Sequence, residues 1–402
     1  MTSSLAIDGG TPVRTAPFSV WPVWGDGERQ MLLDVLESGH WGELSGDQVQ
    51  AFEDRFAAFQ GARFALAVPN GTQALEVALQ ALGVGPGDEV ITTAWTFIAT
   101  ASANFAVGAR PIFVDIDPRT NLIDPSLIEA AITSRTKAIV PVHIGGQPCD
   151  LDGVLDVARG HGLPVLEDAA QAVGAEWKGM KVGAIGDLGT FSFQESKNLS
   201  GGEGGAIVTN RKDLHDLAWS LHNSGRGPSS GPFDFERLGG NYRLTELTGA
   251  LLLAQLARLD GQMAVRDRNA ALLTRGFTEI AGLDPTVVDE RVTRHAWHLY
   301  QLRYDATAFG GQSREHFIGA LEAEGIPATA GYVPLTRIDA IRTALRDRYG
   351  VDAVGSIGPA PHAEAAGRDS IWLHQTALLG SDADTADILT ACRKIATAWQ
   401  SK

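Results

Sequence analysis

Cysteine is scarce in this chain of 402 residues. The two that occur, Cys149 and Cys392, lie far apart in the sequence and belong to no Cys/His spacing typical of a metal site. Two isolated thiols cannot form the disulfide framework of a small secreted protein, and they suit a reducing compartment. The first ten residues also lack a basic segment followed by an apolar core, which disfavours a signal peptide. We therefore expect a cytoplasmic protein without a structural metal.

The sequence also lacks long apolar runs and an excess of basic residues, and both absences limit the classes of binding partner. No window approaches the run of about 18 apolar residues that a membrane helix needs. The 33 Lys and Arg residues are outnumbered by 48 Asp and Glu residues, and the formal net charge is -15. The basic surface of a nucleic-acid-binding protein is therefore not expected. A small molecule is the expected ligand, with neither nucleic acid nor a membrane as partner.

Short apolar runs alternate with helical patterns from Phe64 to about Val208. This alternation is typical of a mostly parallel sheet with helices on its faces. The candidate strands cover residues 64–68, 89–93, 111–114, 138–143, 165–167, 189–193 and 206–209. The helices between them cover residues 71–82, 97–107, 125–132 and 151–160. We predict an α/β fold with a mostly parallel seven-stranded sheet in a large domain.

The rest of the chain has a different pattern. A long apolar helix is predicted at 244–259, and beyond it helices at 314–324 and 382–399 mix with strands at 298–304 and 371–374. This mixture indicates a smaller α+β domain. We divide the chain into residues 1–260, an N-terminal arm with the large domain, and residues 261–402. Residues 224–233, rich in Gly, Pro and Ser, are predicted to form a loop.

Lys197 stands between an apolar alternation at 190–193 and a glycine cluster at 201–205. The glycines permit positive φ angles and a close approach of the backbone to a flat ring. A desolvated lysine can form a Schiff base with an aldehyde such as pyridoxal phosphate (PLP). A surface lysine in a glycine-rich turn is the simpler interpretation of this segment alone, so partners elsewhere must decide between the two.

Other polar residues follow predicted strands, at the sheet edge where ligands gather. Gly71 and Thr72 open a helix whose backbone amides suit a phosphate, although helix capping explains them equally well. Asp168 ends a buried strand, where a protonated pyridine nitrogen would be a suitable cation; capping a following helix is the simpler role. Ser192 could add a hydroxyl to the phosphate site. Phe97 could stack on a ring, and core packing is its common alternative.

These motifs gain meaning from their order. Asn70-Gly71-Thr72, Asp168-Ala-Ala-Gln171, Ser192 and the segment from Lys197 to Gly205 together resemble the DegT/DnrJ/EryC1/StrS aminotransferases, a family of fold-type I PLP enzymes. Segments 85–91, 135–143 and 240–246 also resemble family blocks, and the resemblance runs from about residue 21 to residue 399. The set as a whole is highly specific.

The resemblance implies a PLP site on a fold-type I domain. Lys197 would carry the cofactor as a Schiff base, and Asp168 would face the pyridine nitrogen, so these two are the implied catalytic residues. The other implied cofactor contacts are Phe97 on the ring face, Gly71, Thr72 and Ser192 at the phosphate, Gln171 beside the 3-hydroxyl, and Asn241 supplied by the neighbouring subunit. The last of these implies a homodimer with shared active sites.

The implied reaction moves an amino group from glutamine or glutamate to a keto-cyclitol or keto-sugar, in pathways of the aminoglycoside antibiotic type. Phe193-Gln194 resembles the branch of scyllo-inosose aminotransferases and 3-amino-5-hydroxybenzoate synthases, whereas many nucleotide-sugar members carry His or Tyr where Gln194 stands. We expect substrate contacts from Gln194, and from His143, Tyr332 and His374, for each of which a structural role is the alternative.

Other functions stay open on the sequence alone. The same site could run a dehydratase and aromatase reaction like that of a 3-amino-5-hydroxybenzoate synthase, or aminate a nucleotide-linked keto-sugar. A non-catalytic sensor with this fold is disfavoured, because it would have no need of a buried acid opposite a Schiff-base lysine.

Overall fold

The computed structural model describes residues 4–227, 230–231, 233–350 and 358–400. The α-helices are α1 (Asp26–Ser38), α2 (Gln48–Gln60), α3 (Gly71–Ala81), α4 (Ala99–Ala106), α5 (Ile128–Ala131), α6 (Leu151–His161), α7 (Lys212–His222), α8 (Glu246–Phe277), α9 (Arg314–Ala323), α10 (Asp339–Tyr349), α11 (Pro361–Asp369) and α12 (Asp382–Gln400). The strands are β1 (Phe64–Val68), β2 (Glu89–Thr93), β3 (Arg110–Val114), β4 (Thr136–Val140), β5 (Leu166–Asp168), β6 (Glu176–Trp177), β7 (Met180–Lys181), β8 (Leu188–Ser192), β9 (Gly205–Thr209), β10 (Leu283–Pro285), β11 (Val292–Arg294), β12 (Leu299–Tyr304), β13 (Thr329–Ala330) and β14 (Ser370–His374). Short 3-10 helices cover Ala6–Asp8, Pro125–Leu127, Ile144–Gly146, Ala306–Phe309, Leu335–Arg337 and Gln375–Leu378.

The N-terminal part of the chain is built on a sheet with the strand order β1-β9-β8-β5-β4-β2-β3. Two hydrogen-bonded groups, β1-β9-β8-β5 and β4-β2-β3, meet at the parallel bridges Ile139–Val165 and Val142–Asp168. Strand β9 is antiparallel to both of its neighbours, and the other six strands run in one direction. The prediction of an α/β fold is confirmed, and the two groups together contain the seven strands that the sequence predicts for a mostly parallel sheet.

Helix α3 shows how the sequence places a polar face at the edge of this sheet. It begins after Asn70, whose side chain accepts a hydrogen bond from the backbone N–H of Gln73 at 2.9 Å. Its apolar side chains, among them Leu75 and Leu79, are buried in the core on one side of the sheet. Thr72 and Gln73 belong to the opposite, polar face, as expected for an amphipathic helix.

A second, antiparallel sheet, β10-β12-β14-β13, carries the C-terminal part of the chain. Its core includes Phe317, Leu373 and Trp399, and buried residues of α8 continue into it. Helix α8 is twice as long as the predicted helix at 244–259. Its apolar side chains pack into the large core as far as Leu259 and into this second core near its end, at Phe277. The proposed boundary at residue 260 lies inside this helix, and the division into two domains stays a prediction.

Some predicted elements differ from the observed ones. Strand β4 ends at Val140, because Pro141 has no backbone N–H for the ladder, so His143 lies beyond the strand. The helix predicted at 97–107 begins at Ala99, and the one predicted at 125–132 is a 3-10 turn followed by one short helical turn. Positions 228, 229 and 232 of the predicted loop lie outside the described residues. Within the described part of the chain, no helix has the length and apolar character required to cross a membrane.

Candidate active site

A pocket of about 790 Å³ opens at the carboxyl ends of β1, β2, β5 and β8, and β12 and β14 close it from the other side. It brings together most of the residues predicted from the sequence. The predicted residues that line it are Gly71, Thr72, Phe97, Asp168, Gln171, Ser192, Gln194, Lys197, Tyr332 and His374. Asn241 and His143 do not line it.

The turn before α3 forms one wall of the pocket. Gly71 packs directly against Ser192, and a Cβ atom on Gly71 would lie 2.7 Å from the Ser192 Cβ, closer than real contacts allow. Thr72 and Ser192 add hydroxyl groups at the same place. Asn70 caps the helix. Gly71 and Thr72 line the pocket, and their role at a phosphate stays a prediction. The backbone amides at the positive helix end suit a phosphate group.

Gly71→Ala should therefore damage the phosphate site. Because the added methyl group must displace Ser192, we expect PLP affinity to fall by about tenfold to a hundredfold, corresponding to the 1–3 kcal/mol typical of overpacking. Cofactor titration by absorbance measures this effect. Gly160→Ala is the matched control, since a Cβ at that helical glycine meets nothing within 4 Å. An unchanged PLP affinity in Gly71→Ala would show that this wall does not hold the phosphate.

Asp168 lies at the bottom of the pocket and is 4% exposed. The Thr100 hydroxyl donates to its Oδ2 at 2.8 Å, and the backbone N–H of Ala170 donates to its Oδ1 at 3.2 Å. Burial raises the pKa of Asp168, opposed by these hydrogen bonds and by the positive charge of Lys197. No helix follows the residue, so helix capping is ruled out. A buried carboxylate of this kind favours a cationic partner in the pocket.

His143 contradicts the prediction of a substrate contact. Its side chain is fully buried, its Nε2 is 3.0 Å from Glu167 Oε2, and its Nδ1 accepts a hydrogen bond from the backbone N–H of Cys149 at 3.1 Å. Because both ring nitrogens are already engaged inside the protein, His143 has the structural role that the sequence left open. Glu167 in turn accepts hydrogen bonds from the backbone N–H groups of Gly183 and Gly186.

Lys197 projects from the loop after β8. The turn is held by the hydrogen bond from its own backbone N–H to the Gln194 carbonyl, 2.8 Å long, and by the Trp21 indole, which donates to the Glu195 carbonyl at 2.6 Å. Desolvation lowers the pKa of Lys197 to about 8, although the negative charge of Asp168 opposes the shift. A lysine with this pKa has a substantial neutral fraction near physiological pH, as a nucleophile and a base require.

Three predicted residues form a connected wall. The Gln171 side-chain oxygen accepts from the backbone N–H of Gly145 at 2.7 Å, and its amide nitrogen donates to the Tyr332 hydroxyl at 3.1 Å. Burial raises the pKa of Tyr332 to about 12, so its hydroxyl stays protonated. The Phe97 ring centroid lies 5.9 Å from that of Tyr332, and Phe97 is 52% exposed. An exposed aromatic ring in a pocket wall is available for stacking.

Gln194 and His374 also reach the pocket. The Gln194 side-chain oxygen accepts from the backbone N–H and hydroxyl of Ser196 at 2.9 and 2.7 Å. His374 Nε2 lies 3.3 Å from the Thr329 hydroxyl, and burial lowers the pKa of His374. These contacts are compatible with substrate binding, which stays a prediction for both residues and for Tyr332.

The sequence did not reveal several residues of the pocket. Thr100 is the second residue of α4, and no local pattern indicates that its hydroxyl meets Asp168. His298 precedes β12 and lies 3.2 Å from Asn198 Oδ1, and burial lowers its pKa well below the usual value. Glu76 lines the pocket one helical turn after Thr72, a position that helix periodicity could have indicated.

Asn241 lies on the surface, and its backbone pairs with that of Asn223 in an isolated antiparallel β-bridge. A contribution of this residue to the site of a neighbouring subunit stays a prediction. Among the residues that the structure describes, no group of three or more His, Cys, Asp or Glu side chains could hold a metal ion.

Known proteins match this chain over most of its length. The model of the DegT/DnrJ/EryC1/StrS aminotransferase family matches residues 24–391. The chain belongs to this family. The L-glutamine:2-deoxy-scyllo-inosose aminotransferase of Streptoalloteichus tenebrarius is 41% identical over 98% of both chains. The 3-amino-5-hydroxybenzoate synthase of Amycolatopsis mediterranei is 40% identical over 94% of this chain and 97% of that protein.

Solved structures lead to the same family. The crystal structure of a 3-amino-5-hydroxybenzoic acid synthase superposes with a TM-score of 0.87 at 38% identity, and the match covers 96% of this chain and all of that one. The predicted family and the predicted aminotransferase activity are confirmed.

Proposed function

We propose that this protein is a PLP-dependent aminotransferase that moves the amino group of glutamine or glutamate to a neutral keto-cyclitol or keto-sugar. The observation that carries the proposal is the placement of the Lys197 amine and the buried Asp168 carboxylate in one pocket, beside the Gly71–Ser192 contact. The amine fits the aldehyde of the cofactor, and the carboxylate fits its ring nitrogen. The Gly71–Ser192 contact fits its phosphate.

When bound, PLP supplies an aldehyde that carries the amino group and a ring that accepts electrons from the donor carbon. Asp168 would pair with the ring nitrogen and keep it protonated, and the Thr100 hydroxyl orients the carboxylate. Thr72 and Ser192 would hold the phosphate together with the amides of the helix end. Phe97 would stack on the ring and exclude water from it.

Lys197 would hold the cofactor at its aldehyde and would also act as the base of the reaction. Its Nζ would take the proton from the α-carbon of the amino donor. A general base is most effective when its pKa is near the working pH, and desolvation lowers the pKa of Lys197 to about 8. The same amine would act on the keto substrate in the second half-reaction, so one lysine would serve both half-reactions.

The substrate class rests on the relatives. A full-length relative at 41% identity is named an L-glutamine:2-deoxy-scyllo-inosose aminotransferase. We infer that glutamine is the donor here, that the acceptor is a cyclic polyhydroxy ketone, and that the pathway makes an aminoglycoside-type secondary metabolite. The identity of the ring is left to experiment.

We also propose a homodimer with shared sites. Asn241 is exposed and lies outside the pocket of its own chain. Large apolar side chains are also exposed, including Trp24 at 64% and Leu44 at 64%. If such side chains form one contiguous patch, that patch marks a surface for a partner.

A substrate series tests the function. The protein is loaded with PLP, treated with glutamine and freed of excess donor, and then offered scyllo-inosose, a nucleotide-linked keto-sugar or an aminoshikimate-type ketone. We expect mass spectrometry to detect the amine of the neutral cyclitol. Amination of the nucleotide-linked ketone alone would contradict the proposal.

A second function is supported by the 40% identical 3-amino-5-hydroxybenzoate synthase. In this reaction the amino-cyclohexenone would lose water and become aromatic. Release of an aromatic product from the aminoshikimate-type ketone in the same series would favour this function. Glutamine-dependent amination of scyllo-inosose without such a product would exclude it.

A further inference from the structure

Arg266 is a fully buried residue of helix α8. Among the residues that the structure describes, no carboxylate lies within ion-pair distance of its guanidinium, and its Nη1 atom has no hydrogen-bond partner. Burial lowers the pKa of Arg266 to about 9, although the negative charge of Asp267 opposes the shift. A buried charge that lacks a paired charge destabilises the folded state. Packing alone therefore does not explain an arginine at this position.

One contact of Arg266 leads to the residue before Lys197. The Nε and Nη2 atoms of the guanidinium both donate to the side-chain oxygen of Gln375, at 3.1 and 2.5 Å. The amide nitrogen of Gln375 in turn donates to the Ser196 carbonyl at 3.5 Å, and its backbone N–H donates to the His298 carbonyl at 3.0 Å. Hydrogen bonds from a charged donor are about twice as strong as neutral ones. Arg266 therefore fixes which end of the Gln375 amide faces Ser196.

A second contact of Arg266 leads to the residue before Ser196. The guanidinium carbon lies 5.5 Å from the centroid of the Trp21 ring, within the range of a cation–π interaction. The Trp21 indole donates to the Glu195 carbonyl at 2.6 Å. Through two different side chains, Arg266 is thus connected to the carbonyls of the two consecutive residues that precede Lys197.

The residue after Lys197 is held by other groups. Asn198 is buried, its amide nitrogen donates to the Ala296 carbonyl at 2.6 Å, and its side-chain oxygen lies 3.2 Å from His298 Nδ1. These bonds do not involve Arg266. The backbone is therefore fixed on both sides of the lysine, and Arg266 supplies the connection on the preceding side.

We propose that Arg266 is a positioning residue for Lys197: through Gln375 and Trp21 it fixes the two peptide groups before the lysine and so keeps the amine where it reacts. Arg266 is not among the described residues that line the pocket, so it acts through the turn and not on a ligand. Reacting atoms must be held in a near-attack arrangement, and a small displacement slows a reaction strongly. This inference rests on the proposed function, in which Lys197 is the reacting amine, and deepens it.

The first test does not depend on the reaction. The full-length protein, freed of any cofactor, is treated with acetic anhydride over a range of pH, and mass spectrometry measures acetylation of the peptide that contains Lys197. The pH midpoint of this labelling reports how far water reaches the amine, because desolvation lowers its pKa. The variants leave the other titratable side chains that line the pocket unchanged, namely Glu76, Asp168, Glu203, His298, Tyr332 and His374.

Three variants separate the effects of the turn and of the charge. Arg266→Met removes the guanidinium and both of its contacts and keeps a long side chain. Trp21→Phe keeps a ring against Arg266 but removes the N–H that holds the Glu195 carbonyl. Arg268→Met is the matched control on the same helix, because its guanidinium is half exposed and pairs with Asp382. Circular dichroism verifies that each variant is folded.

We expect a midpoint near 8 in the wild type and in Arg268→Met. Because a looser turn lets water reach the amine, Arg266→Met should raise the midpoint by about one pH unit. Trp21→Phe should raise it by less. An unchanged midpoint in Arg266→Met overturns the inference. A shift in Arg266→Met without one in Trp21→Phe also overturns it, because the loss of a nearby positive charge would then explain the shift.

Trp21→Phe decides alone if Arg266→Met does not fold. The substitution lies in the N-terminal arm and leaves the buried guanidinium in place. A raised midpoint supports the inference, and an unchanged one contradicts it.

A second test measures the rate at which the same variants take up PLP, followed by cofactor absorbance. We expect this rate to fall about tenfold in Arg266→Met and to stay unchanged in Arg268→Met. The two tests separate this inference from the proposed function. A protein that takes up no PLP but shows the shifted midpoint contradicts only the proposed function. A protein that transfers nitrogen from glutamine, with the same midpoint in every variant, contradicts only the role of Arg266.

Discussion

Lys197→Ala is expected to lose amino transfer from glutamine, with a fall of at least about 10³-fold in kcat, while the protein stays folded. Proton transfer by a positioned base alone contributes 10²- to 10⁴-fold, and the same lysine also anchors the cofactor. Because Lys197 lines the pocket and forms no ion pair among the described residues, its loss removes no structural contact of comparable weight. Transfer of labelled nitrogen from glutamine to the ketone measures the effect.

Lys181→Ala is the control for this variant. Burial lowers the pKa of Lys181 as well, and its amine lies 3.5 Å from the centroid of the Phe59 ring, outside the pocket. It tests whether the loss of any partly buried lysine impairs activity. If Lys197→Ala transferred nitrogen at a tenth of the wild-type rate or more, another group would have to be the base.

Asp168→Asn should have the second largest effect, a fall of about 10²- to 10³-fold in the rate of both half-reactions. The amide has nearly the same shape but no charge, so it cannot keep the ring nitrogen protonated, and the ring becomes a weaker electron acceptor. Removing preorganised charge from a buried site costs rates of this size in other enzymes. Rapid mixing with glutamine and then with the ketone measures each half-reaction.

The same variant should not destabilise the protein without cofactor. Burial raises the pKa of Asp168, so the folded state loses stability as the pH rises from the ordinary carboxyl pKa to the raised one, and the neutral amide avoids this cost. Glu53→Gln is the matched control: burial raises the pKa of Glu53 to about 8, and the residue lies outside the pocket. Both variants should melt at or above the wild-type temperature at neutral pH, but only Asp168→Asn should be slow. A slow Glu53→Gln variant would show that the rate loss is not specific to the cofactor site.

The residues that could be predicted from the sequence share a local signature. Lys197 and Gly71 each follow a strand and Asp168 ends one. Parallel strands bring their carboxyl ends to one edge, so chain order and strand pattern together place these residues in one pocket. The strands themselves were predictable because their apolar runs are short and bounded by glycine, proline or polar residues.

The errors have a common physical cause, which is that local patterns do not reveal tertiary contacts. His143 also lies near the carboxyl end of a strand, but the chain turns it inward, where Glu167 and the backbone N–H of Cys149 engage its ring. Thr100 was missed for the opposite reason: its partner, Asp168, is 68 residues away. Helix α8 was predicted too short because its first part packs into one core and its last part into the other, which the local pattern does not show.

Substrate recognition depends on contacts of the same nonlocal kind. Glu76 carries no motif of its own, and only the structure shows that it lines a pocket that β12 and β14 complete. Gln194 was singled out by its neighbours in the Lys197 segment, and the structure adds that its side-chain oxygen is already bonded to Ser196.

Borohydride reduction of the PLP-loaded wild-type protein tests the central claim most directly, because it makes a bond between a lysine and an aldehyde permanent. We predict that mass spectrometry of the digested protein finds the reduced cofactor on the peptide that contains Lys197, and that prior treatment with glutamine removes this label. A label on another lysine, or a protein that binds PLP without any glutamine-sensitive label at Lys197, would contradict the account.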